Sequence, residues 1–187
     1  MRWLSGVLLG ALLCTAASAG TTSPPDGSEA SRQGTNPSPE GTRPSPQGMK
    51  PSPQGMKPFD ESADARSDIE AALSRATAEN KDVLLEFGAN WCPDCRVLAA
   101  TMADAPLSER IATRYVVVRI DVGYWDKNLD VVKAWGNPIA KGIPSIVVVD
   151  PNGSVLYTTK AGELARARRM GAAALEKFFA TIPERSL

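Results

Sequence analysis

Val83-Leu-Leu-Glu-Phe-Gly-Ala-Asn-Trp-Cys-Pro-Asp-Cys-Arg96 is the stretch on which the reading of this 187-residue chain turns. Residues 83–87 are an apolar run broken by one acid, Glu86, and read as a short buried strand. After Gly88, Ala89 and Asn90 the pattern changes: Trp91 is followed by Cys92 and Cys95, which enclose Pro93 and Asp94. Proline has a fixed φ and no N–H, so Pro93 suits the first turn of a helix. That helix is predicted to run to about Met102, with Pro106 barring its continuation.

The two cysteines then acquire a chemistry. A thiolate at a helix start is stabilised by unpaired backbone N–H groups and by the positive end of the helix dipole. Cys92 is placed there, as the nucleophile. Cys95, three positions later, returns to the same side and can attack a mixed disulfide formed at Cys92, as the resolving thiol. The rival readings are weaker. The loop the pair would close is too short to staple a fold by much. A closed zinc site wants four ligands, mostly Cys and His, and this chain has three cysteines and no histidine. Copper fails for a similar want of ligands. No metal and no cofactor are therefore expected. The lack of histidine also removes Ser-His and Cys-His nucleophile pairs.

Further out, residues 62–79 place Ile69, Ala72, Leu73 and Ala76 at helical spacing, with Asn80 as a stop. Residues 115–121 are β-branched and apolar, as a second, central strand would be. A helix is predicted over residues 126–135 and a loop over 136–144. Residues 145–149 and 155–159 flank Asp150-Pro-Asn-Gly153 and read as an antiparallel hairpin. Residues 171–182 close the chain as a helix. The order predicts an α/β domain over 59–187: a central mixed four-stranded sheet flanked by helices, with an extra N-terminal helix.

Before that domain the composition differs. Nine of the fifteen prolines fall in residues 20–58, where only Ala30, Met49 and Met56 are apolar. A seven-residue repeat runs through it, plainest in Pro44-Ser-Pro-Gln-Gly-Met-Lys50 and Pro51-Ser-Pro-Gln-Gly-Met-Lys57. Such a segment cannot bury a core and is read as a disordered linker. Residues 1–19 read as a secretory signal: Arg2, an apolar run, and Ala17-Ser18-Ala19 as the cleavage site. Left uncleaved, the seventeen uncharged residues 3–19 sit at the lower edge of membrane-spanning lengths. Cleavage would remove Cys14 and leave only the redox pair. Twenty-one basic and twenty-one acidic residues cancel, so no nucleic-acid partner is expected.

Over about residues 83–182 the chain resembles the thioredoxin superfamily, and the bacterial exported members with a Trp-Cys-Pro-Asp-Cys site in particular. The quoted stretch looks like the family's first central strand running into its redox helix, and Gly142-Ile143-Pro144 looks like its cis-proline loop. The resemblance implies a thioredoxin fold and the following roles. Pro144 is cis beside the sulfurs, and Ile143 presents a backbone edge to an extended substrate segment. Trp91 covers the redox pair. Glu86 is a buried acid that exchanges a proton with Cys95. Pro93 and Asp94 face the substrate and tune the potential; the Asp94 charge is expected to raise the Cys92 pKa. Residues 116–118 lack the lysine that many thioredoxins carry near the acid, which leaves the tuning of Glu86 open.

The implied function is a thiol-disulfide oxidoreductase that reduces protein disulfides in the periplasm, or from a membrane anchor facing it. Its partners are client proteins and an upstream thiol donor, and a monomer is expected. The alternatives are a disulfide-forming oxidase or isomerase, and a noncatalytic adaptor. Ile143 before Pro144 resembles reductants. The remaining features take blander readings: Arg166, Arg168 and Arg169 as a solvated edge, and Trp125 and Trp135 as core in an enlarged segment over residues 123–141.

Overall fold

The quoted stretch folds as strand, turn and helix in the computed structural model, which describes residues 55–185. The signal and all but the last few residues of the repeat lie outside the described residues. Helix α1 (Ala65–Glu79) starts later than the periodicity suggested, because Asp60 and Asp64 divert the preceding chain. Asp60 accepts from the Ser62 N–H and hydroxyl, and Asp64 caps the helix by accepting from Arg66 and Ser67 N–H. Asn80 ends it in the left-handed region at φ 51°.

Strand β1 (Asp82–Gly88) is buried along its whole length, and α2 (Pro93–Met102) follows with Cys92 as its N-cap. A helix absent from the sequence reading, α3 (Leu107–Arg114), fills the gap before β2 (Tyr115–Asp121). Its apolar signal is a single i,i+4 pair, Leu107 and Ile111, both buried, too little periodicity to distinguish from loop. Helix α4 (Leu129–Ala134) is shorter than expected, and a 3-10 turn over Pro138–Lys141 occupies part of the predicted loop. Strands β3 (Ser145–Val149) and β4 (Val155–Thr158) pair antiparallel as predicted, and α5 (Ala172–Ala180) ends the fold.

The sheet order is β2-β1-β3-β4, with β1 parallel to β2 and antiparallel to β3. This is an α/β thioredoxin-like fold with a mixed four-stranded sheet. The second strand is corrected from a central place to an edge; its apolar character is explained by α1 packing against it. Period-two alternation sends β1 side chains to opposite layers. Val83, Leu85 and Phe87 join a core with Ile69, Ala72 and Ala76 of α1 and Val131 and Val132 of α4. Leu84 joins Ile146 and Val148 in a core with Leu98 of α2, Ile111 of α3 and Phe179 of α5. Among the described residues no helix is long and apolar enough to cross a membrane.

Candidate active site

Everything chemical is gathered where β1 ends and α2 begins. Gly88 lies under the Phe59 ring: a Cβ there would come within 2.4 Å of that ring, so only glycine lets Phe59 cover the strand end. Asn90 ties the same residue down, accepting from the Phe59 N–H at 3.1 Å and donating to its carbonyl at 2.7 Å. Arg96 reaches back from α2 to donate to the Asn90 carbonyl at 3.0 Å. The turn that presents the cysteines is thereby held from both sides.

Cys92 and Cys95 are joined as a disulfide, with Cys92 4% exposed and Cys95 fully buried. The Cys95 backbone N–H donates to Cys92 Sγ at 3.2 Å, the arrangement that would stabilise a thiolate on Cys92 after reduction. Cys92 Sγ lies 3.8 Å from the Ile143 carbonyl oxygen, and the Ile143–Pro144 peptide is cis. The loop and the redox helix, fifty-one residues apart in sequence, therefore meet at the reacting sulfur. Sequence reasoning missed what holds that loop. The Ser145 hydroxyl donates to the Pro138 carbonyl at 2.8 Å and is hydrogen-bonded to the Thr159 hydroxyl, which also accepts from the Ile146 N–H at 3.0 Å. Both hydroxyls are buried, so these bonds pin the chain on either side of Pro144.

Glu86 is fully buried, and the doubt over its partner is answered by Arg119. The two are register partners on β1 and β2, and Arg119 Nε donates to Glu86 Oε2 at 3.0 Å. The cation stands one residue beyond the stretch 116–118, on the strand position that faces the acid. The second oxygen, Oε1, is buried without a hydrogen-bond partner. Loss of solvent outweighs the attraction of Arg119, and the carboxyl is pushed up to about 7. Such a group can take up or release a proton near neutrality.

Trp91 is 39% exposed; its indole N–H donates to the Gly123 carbonyl at 2.8 Å. Its ring stacks on Tyr124 at 5.6 Å and meets Trp125 edge-on at 6.3 Å. Trp125 is thus corrected from core to surface: it is 45% exposed and Tyr124 75%. Trp135 does pack on the core. Tyr124 carried no signal in sequence, because its role depends on the loop lying beside Trp91.

Pro93 occupies the first turn of α2, and Asp94 beside it is buried rather than facing out. The reading of the arginine cluster as a wholly solvated edge is corrected at Arg168. Its backbone N–H donates to Asp94 Oδ1 at 3.0 Å, and its Nε lies 3.6 Å from Oδ2.

The comparisons with known proteins agree with this geometry. The Thioredoxin-like family matches residues 64–151. A solved structure described as a disulphide isomerase from Xylella fastidiosa Temecula1 is 46% identical, with a TM-score of 0.67, and covers 69% of this chain and 98% of its own. Thioredoxin H4 of Arabidopsis thaliana is 29% identical over 77 residues, which span 41% of this chain and 58% of that relative. With fold, strand order and paired cysteines at the helix start all in accord, the chain belongs to the thioredoxin superfamily.

Proposed function

We propose that the chain is a thiol-disulfide oxidoreductase that reduces protein disulfides outside the cytoplasm. The observation that carries this reading is the Cys92–Cys95 pair at the N-terminus of α2, with Cys92 Sγ against the Ile143 carbonyl. The reduced protein begins the cycle. The Cys92 thiolate attacks one sulfur of a client disulfide; that S–S bond breaks, a mixed disulfide forms and one client thiolate leaves. Cys95 gives its proton to Glu86, and its thiolate attacks Cys92 Sγ. The second client sulfur departs and the Cys92–Cys95 disulfide remains. Two electrons have passed to the client, and an upstream dithiol must return them.

Ile143 and Pro144 offer a backbone edge to an extended client segment, while Trp91 and Pro93 flank Cys92 along the chain. Export rests on residues 1–19. A second reading, isomerisation, is favoured by the description of the Xylella structure at 46% identity. The reduction potential separates the two. A reductase is expected nearer the roughly −270 mV of thioredoxin than the roughly −120 mV of a strong periplasmic oxidant. A value above about −170 mV, within that range, removes the reductase reading. Absence of any reversible exchange at Cys92 and Cys95 removes the oxidoreductase reading altogether.

A further inference from the structure

Asp94 is an unusual neighbour for a nucleophilic thiolate, because a carboxylate in the first turn of α2 competes for the same helix-end N–H groups and repels the sulfur's charge. It is also buried, and a buried carboxylate requires a partner. That partner comes from seventy-four residues away, at the 3-10 turn Ala167–Arg169. The segment bearing it is firmly seated. Leu164 and Ala167 are fully buried. Gly162, at φ +75°, lies so close to the chain before Pro144 that a Cβ would come within 3.0 Å of the Lys141 carbonyl oxygen. One segment therefore braces both halves of the redox site, the helix start through Asp94 and the proline loop through Lys141.

We propose that Arg168 is a positioning residue of the dithiol, which holds the Asp94 carboxylate off Cys92 and offsets its charge. The inference rests on the reading of Cys92 and Cys95 as an exchanging pair. Two separable contacts do the work. The backbone N–H fixes Oδ1 whatever the side chain, while the guanidinium supplies the compensating charge to Oδ2. The guanidinium is half exposed, so its effect is screened and moderate. Removing the cation leaves the carboxylate uncompensated and destabilises the Cys92 thiolate. Removing the anion leaves the cation uncompensated and stabilises it. Removing both returns the site to near balance.

The test is equilibration of the full chain with glutathione, in which the protein disulfide and two glutathione thiols give the protein dithiol and one glutathione disulfide. Asp94→Asn is expected to shift the equilibrium constant about three- to tenfold toward the dithiol, and Arg168→Met by a similar factor toward the disulfide. A tenfold change corresponds to about 30 mV for this two-electron couple. The double variant and Arg168→Lys are expected within about twofold of wild type. The Cys92 pKa, read from the pH dependence of alkylation, falls in Asp94→Asn and rises in Arg168→Met. A purely structural role would move both single variants the same way, and that outcome overturns the proposal. So does a failure of Asp94→Asn to shift the constant, which decides the matter even where Arg168→Met does not fold. A wild-type protein that never equilibrates with glutathione instead overturns the oxidoreductase reading beneath it.

Discussion

Replacing Glu86 by glutamine exchanges a titratable carboxyl for a neutral amide at almost unchanged volume, and its consequence for stability depends on pH in a calculable way. The carboxyl has an ordinary value of 4.5 and is pushed up to about 7 because it is fully buried, with only Arg119 to offset the loss of water. The folded state therefore binds this proton more tightly than the unfolded chain does. Below about pH 4.5 both states are protonated and burial of the group carries no ionic cost. As pH rises from 4.5 to 7 the unfolded state ionises first, and stability falls. Above 7 the full difference is felt, about 3 kcal/mol at roughly 1.4 kcal/mol per pH unit. Glutamine does not titrate, so the stability of Glu86→Gln relative to wild type is expected to rise by about 3 kcal/mol between pH 4 and pH 8. Other shifted groups, Asp82 and Tyr115 among them, titrate in both proteins and cancel in the difference. The measurement is urea unfolding of the disulfide form, followed by tryptophan fluorescence at a series of pH values. Keeping the disulfide intact prevents the cysteines from contributing. A stability difference that stays flat to within about 1 kcal/mol across the series would refute the claim that burial raises the Glu86 carboxyl toward neutrality.

The same variant in the reduced state is expected to lose at least about tenfold in turnover at pH 7, since a positioned proton acceptor contributes roughly 10²–10⁴; unchanged turnover in an insulin-reduction assay would dismiss Glu86 from the proton path. Cys92→Ser is expected to abolish that activity, whereas Cys95→Ser accumulates mixed disulfides through Cys92, visible by mass spectrometry; more reactive alkylation at Cys95 than at Cys92 in the reduced protein would reverse the two roles. Alanine at both Tyr124 and Trp125 removes two ring contacts of about 0.5–1.5 kcal/mol each and is expected to raise KM for a protein client several-fold at unchanged melting temperature, and an unaltered KM would exclude the aromatic loop from client binding. Deleting residues 20–54 is expected to leave both melting temperature and exchange in vitro unchanged; a fall of several degrees would show that the repeat contributes to the domain's stability.

Local signals were enough for the strand-to-helix junction at the redox pair. Pro93 can start a helix but not continue one, and a cysteine just before it must sit where helix N–H groups are free. The short apolar and β-branched runs of β1, β3 and β4, and the Asp150-to-Gly153 turn, are likewise legible in adjacent residues. What failed were features whose meaning depends on neighbours far along the chain. Strand β2 read as central because apolar residues record burial, and burial under α1 looks in sequence like burial between strands. Helix α3 was too short to show a period.

The site divides in the same way. Cys92, Cys95 and the resemblance around Pro144 were legible, because covalent chemistry and backbone geometry belong to the residues themselves. Charge balance was not. Asp94 in sequence is a bare negative charge between two cysteines, and Glu86 is an acid in an apolar strand. Only the folded chain brings Arg168 to the first from seventy-four residues away and Arg119 to the second through the parallel register of β1 and β2. An arginine side chain pairs across such distances without leaving a local pattern, since a salt bridge needs only proximity, and proximity is created by the packing of the sheet and its helices.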